Sequence, residues 1–594
     1  MSKLFMGRLG LGGFLGLMTI QLIAFQGKSI FVPRSQQFDS VRTFALWTPL
    51  LDTPPGDAPS WATFLAPTYT RSFAPSHLAE YLFGSECVTF SGSQVPDRGA
   101  TDVLADYFGL PTTFESIVHF SPRISNFIFD WGWFVSLNYF NCGAYVFIHT
   151  PIVHSKWDLR FKECVAAKGT QYTIPNTTTT FAVPAGYFAR ANIARADLPV
   201  DVQDALLGVK TFGDYQEQLQ YGKIFGREER NGVADITVDV GSYFLNRPNY
   251  GLAAALIITA PTGNRPDSEF LFDAVVGNGH HWELGGTLIG RMQLVTSSNE
   301  RRSLSAYVSA RATHLFSDRQ KRSFDLSNGL GSRYMLIQSM GVPAQNLQVS
   351  AVRPAATNQY AGVIMNAINA TTLEADIHIN MQADILFMLA YNVCGVEIEG
   401  GYNFWARSKE RMSCRCRLPE NRYAFKGDGQ LYGFTLAQVP VPLNATQSNA
   451  TLYAGQGATN FASGVQFANR NADAAALAFD GAGVALNQLV TTEAGAMALP
   501  VVQVSLSNPA VLLTDGMINE ESALAPRGIS HKVFFSAGYC WFDTPCYKTF
   551  IGGGAEAEFG KLTTVQNSLC GPCTSRGHAA LSQWSMFIKA GFAY

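Results

Sequence analysis

The stretch that decides the fold is Ser585–Tyr594, SMFIKAGFAY. Met586, Ile588, Ala590, Phe592 and Tyr594 fall on one face, and Ser585, Lys589 and Gly591 fall on the other. A repeat of two is the mark of a β-strand, whose successive side chains point to opposite sides. The two faces differ in chemistry, so this strand is expected to separate two different surroundings. A hydrophobic strand without a polar tail is uncommon at the end of a water-soluble domain, where termini fray into solvent.

The same alternation recurs upstream. Ile236, Val238 and Val240 alternate with Asp235, Thr237 and Asp239, and Leu304 to Ala312 alternate with Ser305 to Thr313. Ala375, Ile377, Ile379, Met381, Ala383 and Ile385 alternate with Asp376, His378, Asn380, Gln382 and Asp384. Val396, Ile398, Tyr402 and Phe404 stand opposite Glu397, Glu399, Asn403 and Arg407, and Ala555, Ala557 and Phe559 opposite Glu556 and Glu558. Counted back from Tyr594, the connections alternate in length. Segments 560–583, 408–531, 317–374 and 262–279 are long, whereas 542–546, 391–395, 297–302 and 246–249 are short. This parity places every long connection at one end of the sheet. The hairpins account for eight strands, and residues 114–226 supply about four more.

Composition agrees with this pattern. The chain has 594 residues, of which 15% are charged and 12% aromatic, with 54 glycines. After residue 25 no apolar run is long enough for a spanning helix. Low charge without a spanning helix fits a transmembrane barrel, whose apolar residues are interleaved with polar ones. A net charge of −2 and the lack of a basic run exclude a nucleic-acid partner.

Residues 1–27 read as a secretory signal, with Lys3 and Arg8 before an apolar core from Leu9 to Phe25. A retained anchor is the competing reading, weakened by Gly10, Gly12, Gly13 and Gly16. Residues 28–113 read as an irregular N-terminal region, a plug or a periplasmic segment. Residues 114–594 read as the barrel, with a long insertion at 408–531 that could be a loop domain, a lid or a plug. Asp201–Val209 reads as a short helix.

The final strand, ending in Phe592 and Tyr594, resembles the C-terminal strand of bacterial outer-membrane β-barrels. In that family it closes the barrel and is read by the assembly machinery. The resemblance implies an all-β, transmembrane, antiparallel up-and-down β-barrel of about 12 strands, within roughly 10 to 16, with long extracellular loops. It implies a bacterial outer-membrane location, lipid and lipopolysaccharide as surroundings, and the barrel-assembly machinery as a partner. Ala260-Pro261-Thr262-Gly263, Gly277-Asn278-Gly279 and Glu283-Leu284-Gly285-Gly286 resemble the loop flanks of transporter-like barrels associated with uptake of aromatic compounds and fatty acids. That similarity implies passage of small solutes. In cysteine content the chain resembles the Cys-rich barrels of the chlamydial envelope.

A charge facing lipid at mid-bilayer costs roughly 2–4 kcal/mol, so the charges of the alternating runs must face inward. The candidate pore-lining residues are Asp235, Asp239, Arg311, Asp376, His378, Asp384, Glu397, Glu399, Arg407, Glu556, Glu558 and Lys589, with Lys532 and Lys548 in neighbouring runs. Acids outnumber bases, so an open lumen would favour cations. The competing reading is a packed interior in which acids and bases pair. The functional expectation is a diffusion channel or uptake pore, without a cofactor. The alternative is a structural or adhesive surface protein anchored by a barrel with disulfide-bearing outer loops. Neither a G-x-S-x-G elbow, an H-E-x-x-H nor a phosphate-binding glycine loop occurs, so no enzyme is expected.

Ten cysteines in an exported chain suggest disulfides. Cys540 and Cys546 flank Trp541–Pro545 and either bridge a hairpin or remain two free or separately paired thiols. Cys570-Gly571-Pro572-Cys573 has the redox C-x-x-C form, but a strand-like run follows where a redox fold needs a helix. A local or inter-subunit disulfide is the simpler reading, and a homo-oligomer is compatible with it. His280 and His281 are adjacent, so on a strand they point to opposite faces and read as loop-edge residues rather than metal ligands.

Overall fold

The computed structural model describes residues 27–47, 61–92, 95, 102–111, 113–137, 143–169, 172–173, 180–181, 198–212, 215–297, 302–327, 331–341, 359–425, 432–434, 440–442, 512–544, 547–566, 574–578 and 580–594. Twelve strands form one closed antiparallel barrel, each paired with its neighbours in chain order. The first six are β1 (Trp61–Ser72), β2 (Arg123–Ser136), β3 (Ala144–Asp158), β4 (Ile236–Arg247), β5 (Tyr250–Ala260) and β6 (Glu283–Thr296). The rest are β7 (Arg302–Ser323), β8 (Thr372–Val393), β9 (Val396–Arg407), β10 (Gly528–Thr544), β11 (Tyr547–Gly560) and β12 (Gln583–Ala593). β12 pairs with β11 on one side and with β1 on the other, Met586 lying opposite Tyr69 and Ala590 opposite Leu65. Closure removes every unpaired edge, which is what permits a sheet to stand in lipid.

The expected fold is therefore the observed one, and the parity of the connections holds around the ring. The joints between β2 and β3, β4 and β5, β6 and β7, β8 and β9, and β10 and β11 are short and share one end. All long connections share the other. Short turns face the periplasm in this class of barrel. Outside, Leu65, Phe127, Trp131, Leu252, Leu288, Phe387, Phe535 and Ile588 are exposed and form an apolar belt.

The sequence reading placed the barrel after residue 113, but β1 lies well before it. Its inward positions near the turn end, Ala62, Phe64 and Ala66, are as apolar as its outward ones, Trp61 and Leu65. No polar face marks such a strand, so the period-two signal is absent there. Asp201–Val209 does hold a helix, Val202–Leu207, capped by the Asp201 carboxylate on the Asp204 N–H at 2.8 Å and ended by left-handed Gly208.

Two features set the interior. At the loop end, segments from the long connections share one hydrophobic core that includes Leu82, Val103, Leu206, Phe272, Leu336, Ile368, Leu418 and Leu524. This cap rises directly from the barrel: β7 and β8 run 22 residues each and continue into it. Inside the barrel lies a second feature, a strap of residues 27–47. Its Phe31 packs on Tyr81 and Trp157 at the cap, its short helix α1 (Ser40–Phe44) lies within the ring, and Trp47 reaches Phe64 and Phe550 towards the turn end.

Around the turn half of the inner wall, aromatic rings lie across neighbouring glycines. Phe64 is opposite Gly132, Tyr145 opposite Gly241, Phe534 opposite Gly401, Phe550 opposite Gly591 and Phe587 opposite Gly554. A Cβ on Gly132 would lie 2.3 Å from the Phe64 ring, so the glycine is the space the ring occupies. Gly132→Val should therefore displace Phe64 and destabilise the barrel by about 1–3 kcal/mol. The check is the temperature at which unheated, fast-migrating protein converts to the slow form on a denaturing gel. An unchanged conversion temperature would refute the packing role.

Candidate functional site

The site is the lumen and the strap that occupies it. Strap cations meet wall acids. Arg34 pairs with Asp384 and with Glu558 at 3.3 Å, and donates to Asn403 Oδ1 at 3.1 Å and to the Phe38 carbonyl at 2.7 Å. Arg42 lies 3.4 Å from Asp130, itself 2.6 Å from His149. In the opposite sense, wall Lys532 reaches strap Asp39 at 2.6 Å and wall Glu556 at 2.8 Å. Asp39 also accepts from the Val41 N–H, so one carboxylate begins α1 and anchors it to β10.

The end of α1 is held as firmly. Lys589 on β12 donates to the carbonyls of Arg42, Thr43 and Ala45 at 3.0, 2.9 and 2.8 Å. A buried ammonium there satisfies carbonyls that the helix leaves without a partner. The Leu46 N–H then donates to Glu399 Oε2 at 2.8 Å, and the Leu46 side chain lies over the paired Gly538 and Gly552. Trp47 stands 5.3 Å from the Lys589 ammonium, in cation–π range.

Of the candidate lumen residues, Asp384, Glu399, Glu556, Glu558 and Lys589 thus converge on the strap. Arg311 and Asp239 face the strap from β7 and β4, Arg311 stacking over Phe38 at 4.7 Å. Glu397 and Arg407 are buried on β9, Arg407 beside Trp405. Asp235 is buried just before β4, where it accepts from the Asn278 N–H at 2.7 Å and fastens the 261–282 connection to the wall.

Asp376 and His378 differ from expectation. Ala375, Ile377 and Ile379 are the buried positions of that part of β8, whereas Gln382, Asp384 and Leu386 are buried below it. The alternation reverses across Asn380 and Met381, where the register with β7 also shifts. A bulge swaps the faces of a strand. Asp376 and His378 therefore stand on the outer side, the first accepting from Cys414 Sγ at 2.8 Å and the second 3.2 Å from Ser413 Oγ.

Cys540 is a buried free thiol, while Cys546, Cys570 and Cys573 lie outside the described residues. His280 and His281 part company: His280 faces Asp318 at 3.4 Å, and His281 meets the Phe316 carbonyl at 2.7 Å and Gln320 at 3.1 Å. Residues missed in the sequence include the strap trio Arg34, Asp39 and Arg42, which carry no periodicity. Asp130 was findable, since it falls in step with Asn126 and Ile128 and out of step with Trp131 and Trp133.

No family model matches the chain, and no curated protein matches its sequence. An outer membrane channel from Pseudomonas putida aligns over 90% of this chain and 96% of its own, at 8% identity and a TM-score of 0.31. A FadL homologue from Pseudomonas aeruginosa aligns over 96% and 99%, at 7% identity and 0.24. The transport unit of the autotransporter AIDA-I from Escherichia coli aligns over 90% of each chain, at 7% and 0.24. The class rests on the chain's own strand pairing: a twelve-stranded barrel of the outer-membrane kind. Within that class it is a barrel whose lumen holds its own N-terminal strap.

Removing Arg34 would leave Asp384 buried without its cation and Glu558 with only Lys532, 4.0 Å away. Arg34→Ala should destabilise the folded barrel by about 3–5 kcal/mol, and Arg34→Lys should recover only part of that loss because it lacks the fork. Conversion temperature on the gel reads both, and equal values for all three proteins would contradict the pairing. At the outer mouth, burial pushes the Asp273 carboxyl up to about 7 against the pull of Arg230. A folded value above the unfolded one means stability present at low pH and lost as pH rises towards that value. Protection factors of the amides in 261–282, that is, exchange rates corrected for the intrinsic base-catalysed rate at each pH, should be higher at about pH 5 than at about pH 8, and Asp273→Asn should reduce the difference. A wild-type loop insensitive to pH would overturn this.

Proposed function

We propose that the protein is an outer-membrane channel or uptake pore for small solutes, held shut by its own strap. Solutes cross passively, through a lumen whose wall is mildly acidic, when residues 27–47 withdraw. One observation carries the reading: besides the apolar contacts of Leu46 and Trp47 towards the turn end, the strap is held by polar and charged wall groups of a barrel interior. Asp130, Asp384, Glu399 and Glu558 meet the strap at its cations and N–H groups, so a lumen without the strap would present these acids to entering solutes. Lipid and lipopolysaccharide surround the apolar belt, and the assembly machinery reads β12. Of the expected signal segment 1–27, residues 1–26 lie outside the described residues.

The second reading, a surface protein that uses the barrel as an anchor, is favoured by the folded cap and its exposed Cys87, Cys164, Cys414 and Cys416. Planar-bilayer recording separates the two. The intact protein should be mostly silent with rare openings. A protein lacking residues 28–47 should conduct continuously and pass cations in preference under a salt gradient. A folded, strap-deleted barrel that never conducts would refute the channel and favour the anchor.

A further inference from the structure

Between α1 and the walls of β2 to β7 lies a pocket with about 570 Å³ of free space, mouth included. Phe44 and Trp47 of the strap and Phe134, Tyr145 and Phe147 of the wall give it an aromatic lining. Phe134 and Tyr145 stack with centroids 5.4 Å apart, and Tyr243 stands 5.5 Å beyond. The same pocket is reached by Asp239, Ser309 and Arg311. All three bring buried polar atoms that lack a hydrogen-bond partner among the described residues: Asp239 Oδ1, Ser309 Oγ, and Nε and Nη2 of Arg311. Arg311 is only 8% exposed; its guanidinium face lies over Phe38, and the carboxylates of Asp239 and Glu283 act on it without a direct hydrogen bond among the described residues.

Such groups are costly to bury and leave unpaired, by about 1–3 kcal/mol each and more when charged. Their number and mixture specify a complement. A guanidinium edge calls for a carboxylate, which it can hold with two parallel bonds. The Asp239 oxygen calls for a donor at a different point of the ligand, because Asp239 and Arg311 approach from strands three apart in the ring. The aromatic walls call for a flat apolar body between the two. A hydrocarbon would leave the hydrogen-bonding atoms of both groups unmet, and a simple cation would be repelled by Arg311.

We infer that this pocket binds a small aromatic acid carrying a hydrogen-bond donor, hydroxyl or amino, on the ring position away from its carboxylate. The ligand class deepens the uptake reading and rests on it for its biological sense. Its carboxylate lies on Arg311 with Ser309 beside it, its ring between Trp47 and Tyr145, and its donor on Asp239.

The test uses the full-length protein folded in detergent and titrated with 4-hydroxybenzoate, with tryptophan emission as the signal and Trp47→Phe protein to assign it. Saturable quenching that disappears in Trp47→Phe is expected. Arg311→Gln should weaken binding at least about tenfold, benzoate should bind more weakly than 4-hydroxybenzoate, and toluene should not compete. Each variant is first shown to keep its heat-dependent gel shift. Absence of saturable quenching in shifted wild-type protein would overturn the inference. So would equal affinity in shifted Arg311→Gln and Asp239→Asn proteins. Binding needs no conduction: a barrel that conducts but does not bind defeats only this inference, and one that binds but never conducts defeats only the channel.

Discussion

Everything in this molecule depends on how acids are kept inside a closed barrel. A sheet in lipid must turn its charges inward, and an interior cut off from bulk water charges several kcal/mol for each ion left alone. The strap answers that constraint. Arg34 and Arg42 supply cations where β2, β8 and β11 supply Asp130, Asp384 and Glu558, while Lys532 and Lys589 reach from the wall to the strap's carboxylate and carbonyls. The lumen is neither an open acidic pore nor a wall of self-paired residues. It is complementary to one segment of its own chain.

The two halves of the lumen grip the strap by different physics. Towards the loop end the contacts are ion pairs among buried side chains, which dissolved salt screens little. Towards the turn end they are rings, methyl groups and the spaces left by glycines, with Leu46 over Gly538 and Gly552 and Trp47 against Phe64 and Phe550. A large ring on one strand and no side chain on its neighbour fill a layer that two medium residues would fill less closely.

Much of the barrel was legible because lipid and lumen impose opposite demands on alternate residues. Where both demands hold, as in β8 below Gln382, β9, β11 and β12, period two gave strand, face and neighbours together. It failed where one demand lapsed. β1 faces lipid on one side and the apolar end of the strap on the other, so Phe64 and Leu65 look alike in sequence. The upper part of β8 leaves the barrel for the cap, and a local bulge turned Asp376 and His378 outward although the letters continue to alternate across it. The strap itself has no repeat, since Arg34 and Asp39 are placed by partners several hundred residues away and Arg42 by Asp130 in β2. Tertiary complementarity of that kind leaves no local trace.

The course of the strap also fixes an order of events. Residue 27 lies at the cap, residue 47 lies towards the turn end, and β1 starts from the turn end at Trp61. The chain therefore passes through the ring that its own later strands complete. The seam between β1 and β12 joins residues more than five hundred positions apart, the longest closure in the ring. A barrel sealed around nothing would then need Lys28 and Arg34 to be threaded through a finished hole with their charges bare. Sealing around a strap already in place avoids that passage, so the strap and the wall close together.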